Sequence, residues 1–189
     1  STLAAIVKYP FPSVLAGKKS KFGFFTSEEN SYLKIAEELG IKRLSKEGEP
    51  PQYARHPLVY LVEAADDICY QMMDIEDAYK LKLLTPKEAK DLYLLFFDEK
   101  KKHRVEEIFS FVTDGNEQMA YLRATVIGIL IKECTKVFME NEEAILNGTF
   151  EGALIKHISS PLSESYKECS RVAVEKIYRS RDVLDIELA

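Results

Sequence analysis

The sequence predicts an all-α, helical bundle-like domain. Three observations lead there. Two capping boxes, Thr26-Ser-Glu-Glu29 and Thr85-Pro86-Lys-Glu88, each open a stretch with apolar residues at helical spacing. Glycine, asparagine and proline punctuate the chain where helices start and stop, at Gly40, Pro57, Pro86, Asn147-Gly148 and Pro161. No stretch shows the period-two alternation of a half-buried strand, and no internal repeat occurs.

Taken in order, the first capping box opens a helix that Gly40 closes. Residues 41–56 read as a polar loop with Gly48, Pro50 and Pro51, and Pro57 suits the first turn of a helix over 56–79. The second capping box opens a helix through about Phe97. Residues 98–104, DEKKKHR, read as a charged hinge before a short apolar helix over 105–112. Asp114-Gly115 is a turn, followed by a long helix over about 116–146 that Asn147-Gly148 ends. Ser160-Pro161 precedes a helix over 162–179, and Asp182 caps a last one.

The 189 residues suffice for one domain with a real core, so 1–189 is expected to be a single helical domain. A 46% hydrophobic, 30% charged composition is that of a globular chain. The net charge of -5 argues against a wholesale nucleic-acid binder. No apolar run approaches the length that spans a bilayer, so no membrane association is expected. Cys69, Cys134 and Cys169 form no CxxC and read as reduced core residues of a cytoplasmic protein. His56, His103 and His157 are scattered, with no HxxxH or HExxH spacing.

The segment HPLVYLVEAADDICYQMMDIEDAY at 56–79 carries the most chemistry. At about 100° per residue, Leu58, Leu61, Val62, Ala65, Ile68, Cys69 and Met72 gather on one arc. Glu63, Asp66, Tyr70, Asp74 and Asp77 gather on another, with Asp67 at its edge. Asp66, Tyr70 and Asp74 stack at i, i+4, i+8, where like charges repel by a few tenths of a kcal/mol. An acidic stripe is ordinarily a solvated face. Asp66 is expected where the stripe meets the apolar arc, partly desolvated, in the kind of place that metal ligands, catalytic acids and satisfied ion pairs share.

Arg123 is the second anomaly. It falls inside the apolar arc of the long helix, flanked by Ile127, Leu130 and Cys134, and must find an anion or reach solvent. A structural ion pair with an acid of the 56–79 helix and a phosphate ligand are both open. Further cations stand in Lys8-Tyr9-Pro10 and in GKKSKFGFF over 17–25. Lysine beside glycine and aromatics is compatible with phosphate and with a sugar or base, though surface lysines beside turns are common. Lys100, Lys101, Lys102 and Arg104 read as solvated, with a nucleic-acid contact the minority possibility.

In order along the chain, TLAAIVKYP, KFGFFTSE, HPLVYLVEAADDICYQMMDIEDAY, YLRATV, ENEEAILNGTF and AVEKIYRSRDVLDIEL resemble the deoxyguanosine triphosphate triphosphohydrolases of the HD-domain superfamily. EAADDICY with the D-x-E-D-A that follows is the most specific match. The resemblance implies the C-terminal part of an HD-domain phosphohydrolase that cleaves a deoxynucleoside triphosphate, such as dGTP, to the deoxynucleoside and triphosphate. It implies a divalent metal, magnesium or manganese, held by a histidine, a His-Asp pair and a later aspartate that Asp66 matches. By the same resemblance Tyr70 packs by the sugar and contacts phosphate, and Asp74 accepts from the sugar 3′-hydroxyl. Arg123 matches a phosphate-binding arginine. Lys8, Tyr9 and Lys21 match positions at the triphosphate end.

The histidines of that metal site would lie upstream of Ser1, so no catalytic residue is assigned within the chain. LAAIV at the start and LDIELA at the end read as cuts, and the chain is expected to be a piece of a larger protein, inactive alone. A lone aspartate does not hold a catalytic metal. The resemblance also implies a cytoplasmic homo-oligomer that in some members responds to single-stranded DNA. The alternative is a non-enzymatic helical module, regulatory, oligomerising or nucleic-acid-binding, derived from the family.

Overall fold

The computed structural model describes residues 2–18 and 20–179. Among them are eight α-helices and no strand, as the sequence predicts; two isolated bridges, Pro12 with Phe24 and Arg43 with Tyr53, are the nearest approach to a sheet. The helices are α1 (Thr2–Ala5), α2 (Glu29–Glu38), α3 (Pro57–Lys80), α4 (Pro86–Leu94), α5 (Glu99–Phe109), α6 (Gly115–Glu140), α7 (Glu142–Leu146) and α8 (Ser160–Val172). A π-helical turn, Ala173–Tyr178, continues α8 directly. The described residues form two compact units. The first holds those up to Ala65 together with Lys136–Leu154; the second holds Asp66–Thr135 and those from Ile155 on.

In the first unit, Tyr32 and Ala36 lie one turn apart on α2 and face inward. They pack with Phe24 and with the half-buried Val7, Ile41 and Tyr53. The Phe24 and Tyr32 rings stack at 4.5 Å. α2 ends as its sequence dictates: Gly40 takes φ +63°, and Ile41 N–H reaches back to the Ala36 carbonyl at 2.8 Å. Its start differs from expectation. A 3-10 turn at Thr26–Glu28 precedes it, and the Glu28 carboxylate caps that turn by accepting from Phe25 N–H at 2.9 Å. Tyr60 of α3 is buried edge-on against Phe150 and donates to the Phe150 carbonyl at 3.1 Å.

In the second unit, Ile68, Met72 and Ile75 of α3 are buried with Ala89 and Tyr93 of α4, Leu122, Val126 and Leu130 of α6, and Cys169 of α8. Tyr93 is fully buried, and its hydroxyl is satisfied by the Met72 carbonyl at 2.8 Å. α4 starts with the expected reciprocal cap. Thr85 Oγ1 accepts from Glu88 N–H at 3.3 Å, and the Glu88 carboxylate accepts from Thr85 N–H at 2.8 Å.

Three boundaries are corrected. The charged 98–104 segment is no hinge: Asp98 accepts from Lys101 N–H at 2.8 Å and starts one continuous helix, α5, while Lys102 pairs with Glu99 at 2.8 Å. The long helix is broken at Asn141, which leaves helical geometry at φ −116° and donates its side-chain amide back to the Val137 carbonyl, so α6 and α7 are separate. The 162–179 helix is α8 plus the π turn. The expected cap at Asp182 lies outside the described residues.

The faces of α3 are corrected too. Of the expected apolar arc only Ile68 and Met72 are buried; Leu58, Leu61, Val62, Ala65 and Cys69 are exposed. The buried face is instead Val59, Tyr60, Ala64, Ile68, Gln71, Met72, Ile75, Glu76 and Ala78. Polar Tyr60, Gln71 and Glu76 go inward where partners meet them, Gln71 through its Oε1 alone while its buried Nε2 has no hydrogen-bond partner among the described residues.

Candidate functional site

Asp66, Tyr70 and Asp74 follow one another by single turns of α3, in the second unit. Asp66 is exposed, and among the described residues its carboxylate has no hydrogen-bond or ion-pair partner. The expected desolvation at an apolar boundary is therefore absent, because the buried face of α3 lies round from the predicted arc. Tyr70, 59% exposed, stands over the next turn. Asp74 is half-buried, and its Oδ2 accepts a hydrogen bond from the Tyr178 phenol at the end of the π turn. Burial, then the bonds to Asp74 and Tyr70, push the Tyr178 hydroxyl far above its usual range, so it stays a proton donor. The sequence placed Tyr178 in the matching tail without marking it. An aromatic one residue out of helical register with Tyr166 and Ser170 carries no local signal.

Arg123 does not project toward that line. Its guanidinium pairs with Glu76, whose carboxylate is buried and also holds Lys80 at 2.9 Å. By helix geometry Glu76 lies roughly 80° around α3 from Asp66, about 120° from Tyr70 and about 160° from Asp74. The structural ion pair with an acid of this helix is thus what the fold forms. Two cations share the Glu76 carboxylate, and Lys80 also lies 4.0 Å from the Asp77 carboxylate, so the charges of the cluster balance.

Lys8, Tyr9 and Lys21 come together in the first unit. Lys8 Nζ lies 6.0 Å and Lys21 Nζ 5.8 Å from the Tyr9 ring centroid, so a cation stands near the ring on each count. Gly23 makes this possible. A Cβ there would sit 2.2 Å from the Tyr9 carbonyl oxygen, so only glycine lets the 21–25 segment lie back over 7–13. Gly23 N–H bonds the Phe11 carbonyl at 3.1 Å and Ser13 N–H the Phe24 carbonyl at 3.1 Å. Lys8 also pairs with Glu63 of α3 at 2.7 Å, and Arg55 meets the other oxygen of that carboxylate at 2.5 Å. Burial alone would push the Glu63 carboxyl up; the bonds from Lys8 and Arg55 outweigh it and hold it below the usual carboxylate range. Glu63 therefore supports the cationic cluster, a role its place on the acidic stripe did not single out.

Among the described residues, no group of three or more His, Cys, Asp or Glu is placed to hold a metal ion. Asp66 can offer one carboxylate and no more, so these residues do not by themselves fit a divalent metal. Cys134 and Cys169 are buried as expected, and burial pushes their thiols up to about 11 and about 12. Cys69 is exposed, against expectation. No described helix is long and apolar enough to cross a membrane.

The fold and these clusters define an all-α protein with an acid-aromatic-acid line on α3 in its second unit and a tyrosine ring between two lysines in its first. Within that class the chain resembles the dGTP triphosphohydrolase-like proteins, as the C-terminal part of one of them would. It is similar to a protein of Pseudomonas aeruginosa named deoxyguanosinetriphosphate triphosphohydrolase-like, 32% identical over 185 residues that cover 96% of this chain and 41% of that protein. A protein of the same name from a Synechocystis species is 30% identical over 200 residues, covering 100% of this chain and 42% of that protein. The chain thus spans about two fifths of the length of the curated relatives it matches. No family model matches it.

Proposed function

We propose that the chain is the C-terminal part of a metal-dependent dNTP triphosphohydrolase, which cleaves dGTP to deoxyguanosine and triphosphate. The observation that carries this reading is the similarity along essentially the whole chain to proteins of that name. The Asp66, Tyr70 and Asp74 line supports it, with the first two exposed and Asp74 half-buried. In this reading Asp66 gives one carboxylate to a divalent metal, magnesium or manganese, whose other ligands lie outside these residues. Tyr70 stacks on the sugar, and Asp74 accepts from its 3′-hydroxyl. Fixing the sugar in this way holds the α-phosphorus for attack by water, and such orientation is worth several kcal/mol, on the order of 7–11 at most. Lys8, Tyr9 and Lys21, and separately Arg123, are the proposed phosphate-binding groups, offsetting negative charge as triphosphate leaves. The same reading makes the whole protein a cytoplasmic homo-oligomer. It puts single-stranded DNA on the basic first turns of α5, at Lys100, Lys101, Lys102 and Arg104.

The test is triphosphate release from dGTP by the full-length protein. Asp66→Ala is expected to lose both bound metal and activity. Metal and activity retained in that variant would overturn the ligand assignment. The isolated chain is expected to release no triphosphate, and release at the full-length rate would show that it needs no further ligands.

A further inference from the structure

Three hydroxyl groups along one side of α8 and the π turn reach α3. Tyr166 donates to the Asp67 carbonyl at 2.9 Å, Ser170 to Gln71 Oε1 at 2.6 Å, and Tyr178 to Asp74 Oδ2. Tyr166 and Ser170 are one α-helical step apart. Continued at about 3.6 residues per turn, that side would next bring up residues 173–174 and then Ile177. The π turn takes one more residue per turn than an α-helix, so the position after it that meets α3 is 178. An uninterrupted α8 would set an isoleucine against the half-buried Asp74. The π turn sets a phenol there instead, and burial with two acceptors around it keeps that phenol protonated.

We propose that Tyr178 is a specificity-determining residue: by occupying Oδ2 of Asp74, it leaves one carboxylate oxygen for the sugar and so favours a 2′-deoxyribose over a ribose. This rests on the reading in which Asp74 receives the sugar hydroxyl. A carboxylate with both oxygens open clasps a vicinal cis-diol at two points, one hydroxyl to each oxygen. With Oδ2 bonded by the phenol hydroxyl, the clasp is lost and a single acceptor, Oδ1, remains. A sugar with one hydroxyl on that edge loses nothing. A ribose must desolvate a second hydroxyl that finds no acceptor, which costs it affinity. Tyr178 makes no contact with reacting atoms and acts through Asp74, so it is a positioning residue.

The test compares dGTP and GTP as substrates of the full-length protein, wild type and Tyr178→Phe. The phenylalanine frees Oδ2 and keeps the ring. The expected result is a fall of about tenfold in the dGTP-to-GTP ratio of kcat/KM, carried by a lower KM for GTP, the size of one hydrogen bond. A purely structural role would instead lower kcat for both nucleotides alike and leave the ratio in place, and that outcome overturns the proposal. Should Tyr178→Phe not fold, the wild-type protein decides: GTP binding more tightly than dGTP would show that both oxygens are open, while GTP binding no more tightly supports the single acceptor. Asp74→Ala separates the two levels. If it leaves the dGTP-to-GTP ratio and both KM values unchanged, or if wild-type protein releases no triphosphate at all, the underlying reading fails and this proposal with it. If Asp74→Ala raises KM and Tyr178→Phe leaves the ratio alone, only the role of Tyr178 is wrong.

Discussion

Lys8 and Glu63, remote in sequence, meet in a 2.7 Å ion pair that ties the start of the chain to α3. Arg55 takes the second oxygen of the same carboxylate and also stands over the Tyr60 ring at 4.4 Å. One glutamate thus holds two cations, with only 10% of its side chain exposed. Removing it would take from both cations the carboxylate they share.

Glu63→Gln is expected to cost about 2 kcal/mol at neutral pH, the worth of hydrogen bonds to a charged group. The folded carboxyl sits below its ordinary 4.5, so its contribution is fully present above that value and is lost as pH falls through the folded one. Urea unfolding of both proteins from pH 7 downward checks this. The gap between wild type and variant should narrow in acid, and a gap that widened there would contradict the arrangement.

Two glycines should answer oppositely to alanine. At Gly23 the new Cβ would meet backbone at 2.2 Å, and a loss of about 2 kcal/mol is expected from forcing the strap away from Tyr9. At Gly128, inside α6, a Cβ meets nothing within 4 Å, so alanine should stabilise by about 0.5–1 kcal/mol. Denaturant midpoints of the two variants measure both signs in one experiment.

Arg123→Met would leave the Glu76 carboxylate, 4% exposed, with Lys80 alone. A loss of about 2 kcal/mol follows, the worth of a hydrogen bond to a charged group, since Lys80 still answers the carboxylate. The double variant with Glu76→Leu should recover most of it, since no charge is then left unpaired. Losses that simply add in the double variant would mean that the two side chains are not coupled.

The cysteines should divide one to two. Cys69 is exposed, whereas Cys134 and Cys169 are buried with thiols pushed up to about 11 and about 12. Folded protein at pH 8 should react quickly with one equivalent of a thiol reagent, and urea should release the other two. Fast reaction of more than one thiol before unfolding would contradict this burial.

Helix starts were legible wherever a side chain caps its own backbone a few residues away. Thr85 with Glu88, Pro57 at the first turn and Gly40 past the end of α2 all stand where the sequence puts them. Local chemistry of this kind needs no knowledge of the rest of the fold. The first capping box shows the margin of such readings: the cap formed one residue early, on Glu28 rather than Glu29. Breaks inside a helical pattern were not legible. Asn141 ends α6 by a competing side-chain bond, and the π turn adds a residue with no change in composition.

The sequence by itself determined the helical class, the line of Asp66, Tyr70 and Asp74, and the resemblance that attaches a chemistry to it. Those follow from residue order and from the 3.6-residue repeat. Only tertiary structure decided which face of α3 is buried, because Tyr60, Gln71 and Glu76 go inward once partners from distant segments meet their polar groups. It decided as well that Arg123 answers Glu76, that Glu63 gathers Lys8 and Arg55, and that Tyr178 closes on Asp74. Hydrophobic patterning tells which side chains prefer to leave water, but a polar side chain enters the core only when its partner arrives, and the partner is not written in its neighbours.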